Sequence, residues 1–369
     1  MRIAGARRAH GNSASQAVLG VPLPEPGWWY GSAPGPLARA LVPLARIWGA
    51  AAERRFHRGG AYRAAVPVVC IGNFTAGGTG KTPLALLVAA ELERLGARPA
   101  FLTRGYGGSV AGPHWVVPGH DSATTVGDEP LLLARIAPTL VCRNRAEGAR
   151  AIVAMGARHG AIVMDDGLQN GTLAKDLVLA VVDGRRGIGN GLVMPAGPLR
   201  APLAFQLALA DAIVVNMPEG TPGGDTSFTT WLRDHFGGPV MRATTRPDGD
   251  TGWIAGAEVL AFSGIGAPER FFGLLERLGA GRVTRRAFPD HHAFSEAEAR
   301  ALLADARARG ATLCTTEKDW VRLASDGARG ELGAATRVLE VRVALDDRDQ
   351  VRLRGLLEAL LAARGAVRP

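Results

Sequence analysis

Residues 70–87 read CIGNFTAGGTGKTPLALL. The residues leading in, VPVVCIGN (66–73), have the continuous apolar character of a buried strand, and KTPLALLVAAELERL (81–95) has a strong helical pattern. Between them stand Gly77, Gly78 and Gly80. A strand, a glycine-rich turn and a helix in that order let backbone N–H groups converge on phosphate oxygens at a helix N-terminus. The strict phosphate-loop pattern G-x-x-x-x-G-K-[ST] would place glycine where Thr75 stands. The remaining glycines still permit close backbone approach. Lys81 is placed to reach the β- and γ-phosphates and the Thr82 hydroxyl to ligate Mg²⁺, while Pro83 is harmless in a first helical turn.

Working outward, apolar runs at 99–102, 114–117, 139–142, 161–164, 177–182 and 212–215 alternate with helical patterns at 128–136 and 144–157. This predicts a mostly parallel sheet covered by helices. The polar, turn-rich TTRPDGDTGW (244–253) predicts a linker. Beyond it a smaller α/β set follows: strands at 259–263, 283–287, 312–315 and 337–343, and helices at 267–278, 295–309 and 348–363. The fold class expected is α/β: a P-loop NTPase-type α/β/α sandwich over 61–243, a linker over 244–256, and a smaller α/β domain over 257–369.

The chain has 369 residues, enough for two cored domains, and a formal net charge of +9, which favours anionic partners. Cys70, Cys142 and Cys314 form no C-x-x-C and read as small buried residues; the eight histidines show no metal-finger spacing. Residues 1–25 read as an N-terminal extension without a convincing signal peptide. Residues 26–60 differ: Trp28, Trp29 and Tyr30 precede an apolar run at 37–52 broken by Arg39 and Arg46, and Arg54, Arg55 and Arg58 follow. No uncharged span reaches transmembrane length, so the expectation is a helix lying in a membrane interface.

A phosphate loop needs an acid at a neighbouring strand end. GAIVMDDGLQ supplies Asp165 and Asp166, and LVLAVVDG supplies Asp183. Adjacent carboxylates repel unless a cation is near, which favours Asp165/Asp166 as the metal site. TVGDEPLLLARI carries Asp128 and Glu129 ahead of a helix, as caps or as the base and metal acid of a phosphoryl transfer. FPDHHAFSEAEAR carries Asp290, His291 and His292, then Ser295 and Glu298 in capping-box spacing. TTEKDWVRL (315–323) reads structurally, as a strand end entering a helix.

In order along the chain, GNFTAGGTGKTP (72–83), TRGYGG (103–108), VGDEP (126–130), DDGLQN (165–170), GNGLVMPAGPLR (189–200), FSGIGAPERFF (262–272), FPDHHAF (288–294) and TEKDWVRL (316–323) resemble the motif set of the tetraacyldisaccharide 4'-kinases of lipid A synthesis. The resemblance spans roughly residues 26–345. It implies ATP and Mg²⁺ as cofactors and an acylated glucosamine disaccharide 1-phosphate as acceptor. It also implies two α/β/α domains and attachment, through the N-terminal region, to the cytoplasmic face of the bacterial inner membrane.

Residue by residue, the resemblance implies a nucleotide loop of Thr75, Gly77, Gly78, Thr79, Gly80, Lys81 and Thr82, with Thr79 touching phosphate. It implies Asp128 as catalytic carboxylate paired with His291 (His292 being second choice) and Lys81 as catalytic. It implies Thr82, Glu129, Asp165 and Asp166 about the metal. Asn170 departs from the family, where His is common, and an amide cannot titrate. Arg104 and Arg143 are candidate neutralisers of the transferring group. The competing expectation is a membrane-recruited regulatory ATPase, whose loop usually carries an extra Lys where Ala76 stands. No nucleic-acid platform stands out, so nucleic acid is not an expected partner.

Overall fold

In the computed structural model, residues 25–31, 33–218, 227–323 and 327–365 are described; most of the expected N-terminal extension (1–24) lies outside them. A nine-stranded sheet is built on Val68–Asn73. Parallel partners flank that strand on both sides, Ala161–Asp165 on one and Leu177–Asp183 on the other. Pro99–Thr103, Thr139–Val141 and His114–Trp115 continue one wing; Ala212–Pro218, Val240–Pro247 and Val341–Leu345 continue the other. Only the two edge strands run antiparallel.

The central strands are apolar on both faces up to their C-terminal ends, where Asn73, Asp165 and Asp183 stand. Val69, Ile71, Val163 and Leu179 enter one core, shared with Leu84, Val88 and Leu92 of the helix Lys81–Arg94. Val68, Cys70, Met164 and Ala180 enter a second core on the opposite face, with Ile152 and Leu232. Both faces are covered, which keeps the strand bodies apolar on either side. Cys70, Cys142 and Cys314 are buried and form no disulfide.

The smaller unit is a parallel four-stranded sheet ordered Arg282–Ala287, Glu258–Ser263, Thr312–Thr316, Arg337–Leu339. Leu260 and Phe262 pack on one face, Val259 and Ala261 on the other. The expected capping box forms: Ser295 accepts from the Glu298 N–H, and Glu298 reaches back to Ser295.

Two expectations are corrected. Residues 244–247 are not linker; they finish the strand Val240–Pro247 and pair with Val341–Leu345, Thr245 opposite Val343. The expected strand 337–343 breaks at Glu340, its first half joining the small sheet and its second the large one. The helix Asp347–Ala363 then buries Leu353, Leu357, Leu360 and Leu361 in the large unit's core, so residues 341–363 do not belong to the smaller unit. Their i, i+4, i+7, i+8 spacing makes one apolar stripe, and that stripe finds its partner on the larger sheet.

The helix Pro36–Phe56 packs Ala38, Ala45 and Gly49 inward, Gly49 against Pro202. Leu37, Leu44, Ile47 and Trp48 on the same helix are exposed. Among the described residues no helix is long and apolar enough to cross a membrane.

Candidate active site

The site lies beyond the C-terminal ends of the central strands, where the chain leaves the first strand and its neighbours diverge to either side, the usual ligand crevice of an open α/β sheet. The loop after Val68–Asn73 turns through Gly77 (φ 86°) and Gly80 (φ 96°), left-handed conformations that favour glycine. A Cβ on Gly80 would meet the Asn216 amide at 2.4 Å. That amide donates to the Thr79 carbonyl at 3.1 Å, and Thr245 in turn holds Asn216 at 2.9 Å. Thr75 is tied down by Asn73 and Arg200, both donating to its carbonyl. Gly78 has open space on its Cβ side, and the Thr79 hydroxyl is buried without a partner. Lys81 and Thr82, at the first turn of the loop helix, are both buried.

The two candidate strand-end acids separate cleanly. Asp183 is engaged, taking Arg270 of the smaller unit and the Arg185 N–H at 3.0 Å. Asp165 is fully buried, and both its carboxylate oxygens lack a hydrogen-bond partner. Burial, then the Glu129 and Asp166 charges, push its pKa up to about 7. A buried carboxylate left in this condition calls for a cation. Asp166 stands differently, with φ 51° and its carboxylate 2.8 Å from Arg200 and 3.8 Å from Lys81. Burial alone would raise its pKa, but Arg200 and Lys81 outweigh burial and hold it well below the usual carboxylate range.

Asp128 is not a helix cap. Gly127 (φ 94°) occupies that position, and a Cβ there would meet the Tyr106 carbonyl at 2.5 Å. Asp128 falls in the first turn of Asp128–Ala134 and is buried. His291, from the smaller unit, brings Nδ1 to 3.3 Å from Asp128 Oδ2. The structure separates the two histidines: His292 binds Glu298 at 3.1 Å and stacks on Phe288, so its contacts are structural. The hydrogen bond to Asp128 raises the His291 pKa against the effect of burial.

Two cations that sequence reasoning passed over also reach these acids. Lys318 donates to Glu129 at 2.8 Å. Arg322 donates to Asp128 Oδ2, to Asp319 at 2.9 Å and to the Gly264 carbonyl at 2.7 Å. Burial alone would raise the Asp128 pKa; His291, Lys318 and Arg322 together hold it well below the usual range. Burial works against charge on Lys318, but Glu129 and Asp128 outweigh it and push its pKa up. The stretch read as structural thus carries two site residues. The available signal was their spacing of four, which sets both on one side of a turn.

Of the four expected metal-site residues, Asp165 has no hydrogen-bond partner and Thr82 is buried in the first turn of the loop helix, while Asp166 and Glu129 hold cations of the protein. Among the described residues no three His, Cys, Asp or Glu side chains converge as a metal cluster. A cation here would be held by few protein ligands, which is the habit of Mg²⁺ beside phosphates. Between the units lies a chamber of about 240 Å³, walled by Thr82, Pro83 and Leu86 on one side and Ile265, Phe271 and Lys318 on the other. An anion-cradling loop, an orphaned buried carboxylate and an acid–histidine pair facing one cleft suit transfer of a phosphoryl group to a hydroxyl.

Comparison with known proteins gives concordant matches. The family profile described as tetraacyldisaccharide-1-P 4'-kinase matches residues 37–361. A tetraacyldisaccharide 4'-kinase of Methylobacterium sp. (strain 4-46) is 50% identical over 342 residues, covering 92% of this chain and 98% of its own. That of Methylobacterium radiotolerans is 51% identical over 336 residues, covering 90% and 99%. Among solved structures, LpxK from Aquifex aeolicus in complex with ATP aligns with a TM-score of 0.67 at 23% identity, over 88% of this chain and 99% of that one. At that identity the likeness speaks for the fold.

Proposed function

This chain belongs to the tetraacyldisaccharide-1-P 4'-kinase family, and we propose that the cleft between its two units carries that family's reaction through Lys81, Asp128 and His291. The chain is an ATP-dependent kinase acting on a lipid A disaccharide precursor. The bond from the γ-phosphorus to the β,γ-bridging oxygen breaks, a bond to the acceptor's 4'-oxygen forms, and ADP leaves. The hydroxyl proton passes to Asp128. The family membership leaves the regulatory-ATPase alternative without support.

The observation that carries this reading is the meeting of Asp128 and His291 across the cleft at 3.3 Å. Asp128 is a weak base in this setting, held low by its cationic neighbours. That suits a loose phosphoryl-transfer transition state, in which the nucleophile's proton leaves late and positioning matters more than basicity. Asp128 orients the hydroxyl and takes its proton, becoming neutral; His291 holds the Asp128 carboxyl in place through their contact. The loop N–H groups and Lys81 bind the phosphates. Thr82 and Asp165 would hold Mg²⁺, which when bound neutralises charge on the phosphate oxygens. The apolar chamber walled by Ile265 and Phe271 suits the nucleotide's base. Closure of the units excludes water and limits idle hydrolysis.

The exposed Leu37, Leu44, Ile47 and Trp48 beside Arg39, Arg46, Arg54 and Arg55 support a helix seated in the cytoplasmic face of an anionic membrane, where an acylated acceptor resides. The +9 charge is assigned to that surface and to the acceptor's phosphate rather than to nucleic acid. The test is incubation in detergent micelles with Mg²⁺ and γ-labelled ATP, with and without tetraacyldisaccharide 1-phosphate. Label reaching the lipid only when the acceptor is present supports the reading. Acceptor-independent phosphate release with no labelled lipid overturns it.

A further inference from the structure

The cations at 318 and 322 are not accounted for by the phosphate loop, the metal-site acids or the acid–histidine pair. Both come from the smaller unit, from the short helix Glu317–Trp320 and the turn after it. Both end on the consecutive acids that open the helix Asp128–Ala134 of the larger unit. Arg322 is itself locked. Its partner Asp319 is fully buried and accepts from Ser263 Oγ (2.9 Å), the Gly264 N–H (2.9 Å) and Thr316 Oγ1 (2.7 Å). The Gly264 carbonyl accepts both from Arg322 and from the His291 N–H at 3.0 Å. One rigid corner of the smaller unit therefore sets Arg322 and His291 together, and both meet the same oxygen, Asp128 Oδ2.

We propose that Arg322 and Lys318 are positioning residues for the phosphoryl transfer, Arg322 clamping Asp128 and Lys318 clamping Glu129 when the two units are apposed. The inference rests on the kinase reading above. The chemistry favours this over a merely structural ion pair for three reasons. Nη1 of the guanidinium is held within its own unit by the Gly264 carbonyl and Asp319, while Nη2 reaches across the cleft to Asp128. Arg322 and His291 both meet Asp128 on Oδ2, so loss of either changes the same contact point on the acid. The Arg322–Asp128 pair is buried on both sides, so its geometry is held rather than averaged by solvent. A misplacement of about 1 Å at a reacting group can cost on the order of a hundredfold in rate, which sets the effect to look for.

The experiment compares wild type with R322A, R322K, K318A, H291A and the R322A/H291A double variant, all full-length, in the micelle assay with labelled ATP. Melting temperature is recorded alongside kcat and both KM values. The expected result is a kcat loss of roughly a hundredfold for R322A, with KM for ATP changed less than about threefold, and partial recovery in R322K. The double variant should be about as slow as the slower single, because both residues act through one oxygen. Folded R322A and K318A with wild-type kcat overturn the proposal, as does multiplication of the two losses in the double variant. If R322A does not fold, R322K and K318A decide the matter by the same kcat criterion. Failure of the kinase reading is distinct: wild type itself would then label no lipid.

Discussion

His291 Nδ1 lies 3.3 Å from Asp128 Oδ2, and the two residues belong to units built on different sheets. His291 sits at φ 58°, in the small left-handed region that non-glycine residues seldom occupy. The Gly264 carbonyl holds its N–H there. Backbone held in that region beside a buried acid is the pattern expected of a functional constraint.

His291→Ala should therefore lower kcat by about a hundredfold or more, the usual range for a proton-handling group, with KM for ATP nearly unchanged. His292→Ala should act otherwise. It removes the stack on Phe288 and the Glu298 contact, so melting temperature should fall while kcat of the folded protein holds. Steady-state kinetics and thermal melts on both variants check this.

Asp165 and Asp183 should respond in opposite ways. Asp165→Asn removes a buried, unpartnered carboxylate, so in chelator the variant should melt at or above the wild-type temperature. Added Mg²⁺ with ATP should stabilise wild type and not the variant, and turnover should collapse. Asp183→Asn instead strands Arg270 in a part-buried setting and should lower the melting temperature in chelator. Calorimetric scans with and without Mg²⁺ and ATP read both outcomes.

Glu298 supplies a pH dependence of stability. Bonds from the Ser295 backbone and hydroxyl, with His292 adding to them, lower its pKa from 4.5 to about 2. A carboxylate lowered on folding contributes stability that is whole above about pH 4.5 and lost as pH falls toward 2. The melting-temperature gap between wild type and Glu298→Gln should be widest above pH 5 and close progressively between pH 4.5 and 2. A gap that stays constant through that window would count against the contribution.

Leu44→Asp and Ile47→Asp test the outward face of the helix Pro36–Phe56. Losing an apolar side chain of this size from a membrane interface forfeits about 1.5 kcal/mol or more, about tenfold in partitioning. Each variant should release the protein from anionic vesicles in a sedimentation assay while micelle-assay turnover falls less. Release by salt alone would place the attachment on Arg54 and Arg55 instead.

Much of this architecture was legible locally. The strand, glycine turn and helix over 66–95, the apolar runs that became the central strands, and the Ser295–Glu298 box all depend on neighbours within a few residues. Period, glycine conformation and capping are written at that range. The nucleotide loop and the acids at 165–166 were legible because glycines, a lysine and paired carboxylates stand out at the ends of apolar strands, whereas the acids at 128–129 read equally as ordinary first-turn acids of a helix. Asn170 illustrates the limit of a motif: where histidine is common, its side chain accepts from the Thr172 N–H and hydroxyl, a turn-stabilising role.

What tertiary structure decided were the pairings. Residues 244–247 look like linker because their strand partner, 341–345, is far along the chain. Asp165 and Asp183 both end apolar strands; Arg270 engages one and leaves the other without a hydrogen-bond partner. His291 and His292 are adjacent, and only the turn at Gly264 aims one of them at Asp128. The stretch holding Lys318 and Arg322 read only as a strand end entering a helix, and the fold sets both over the acids. The physical reason is common to all four. Local sequence specifies backbone shape and burial, but the field and the partner at a buried polar atom come from whichever distant segment the folded chain places against it.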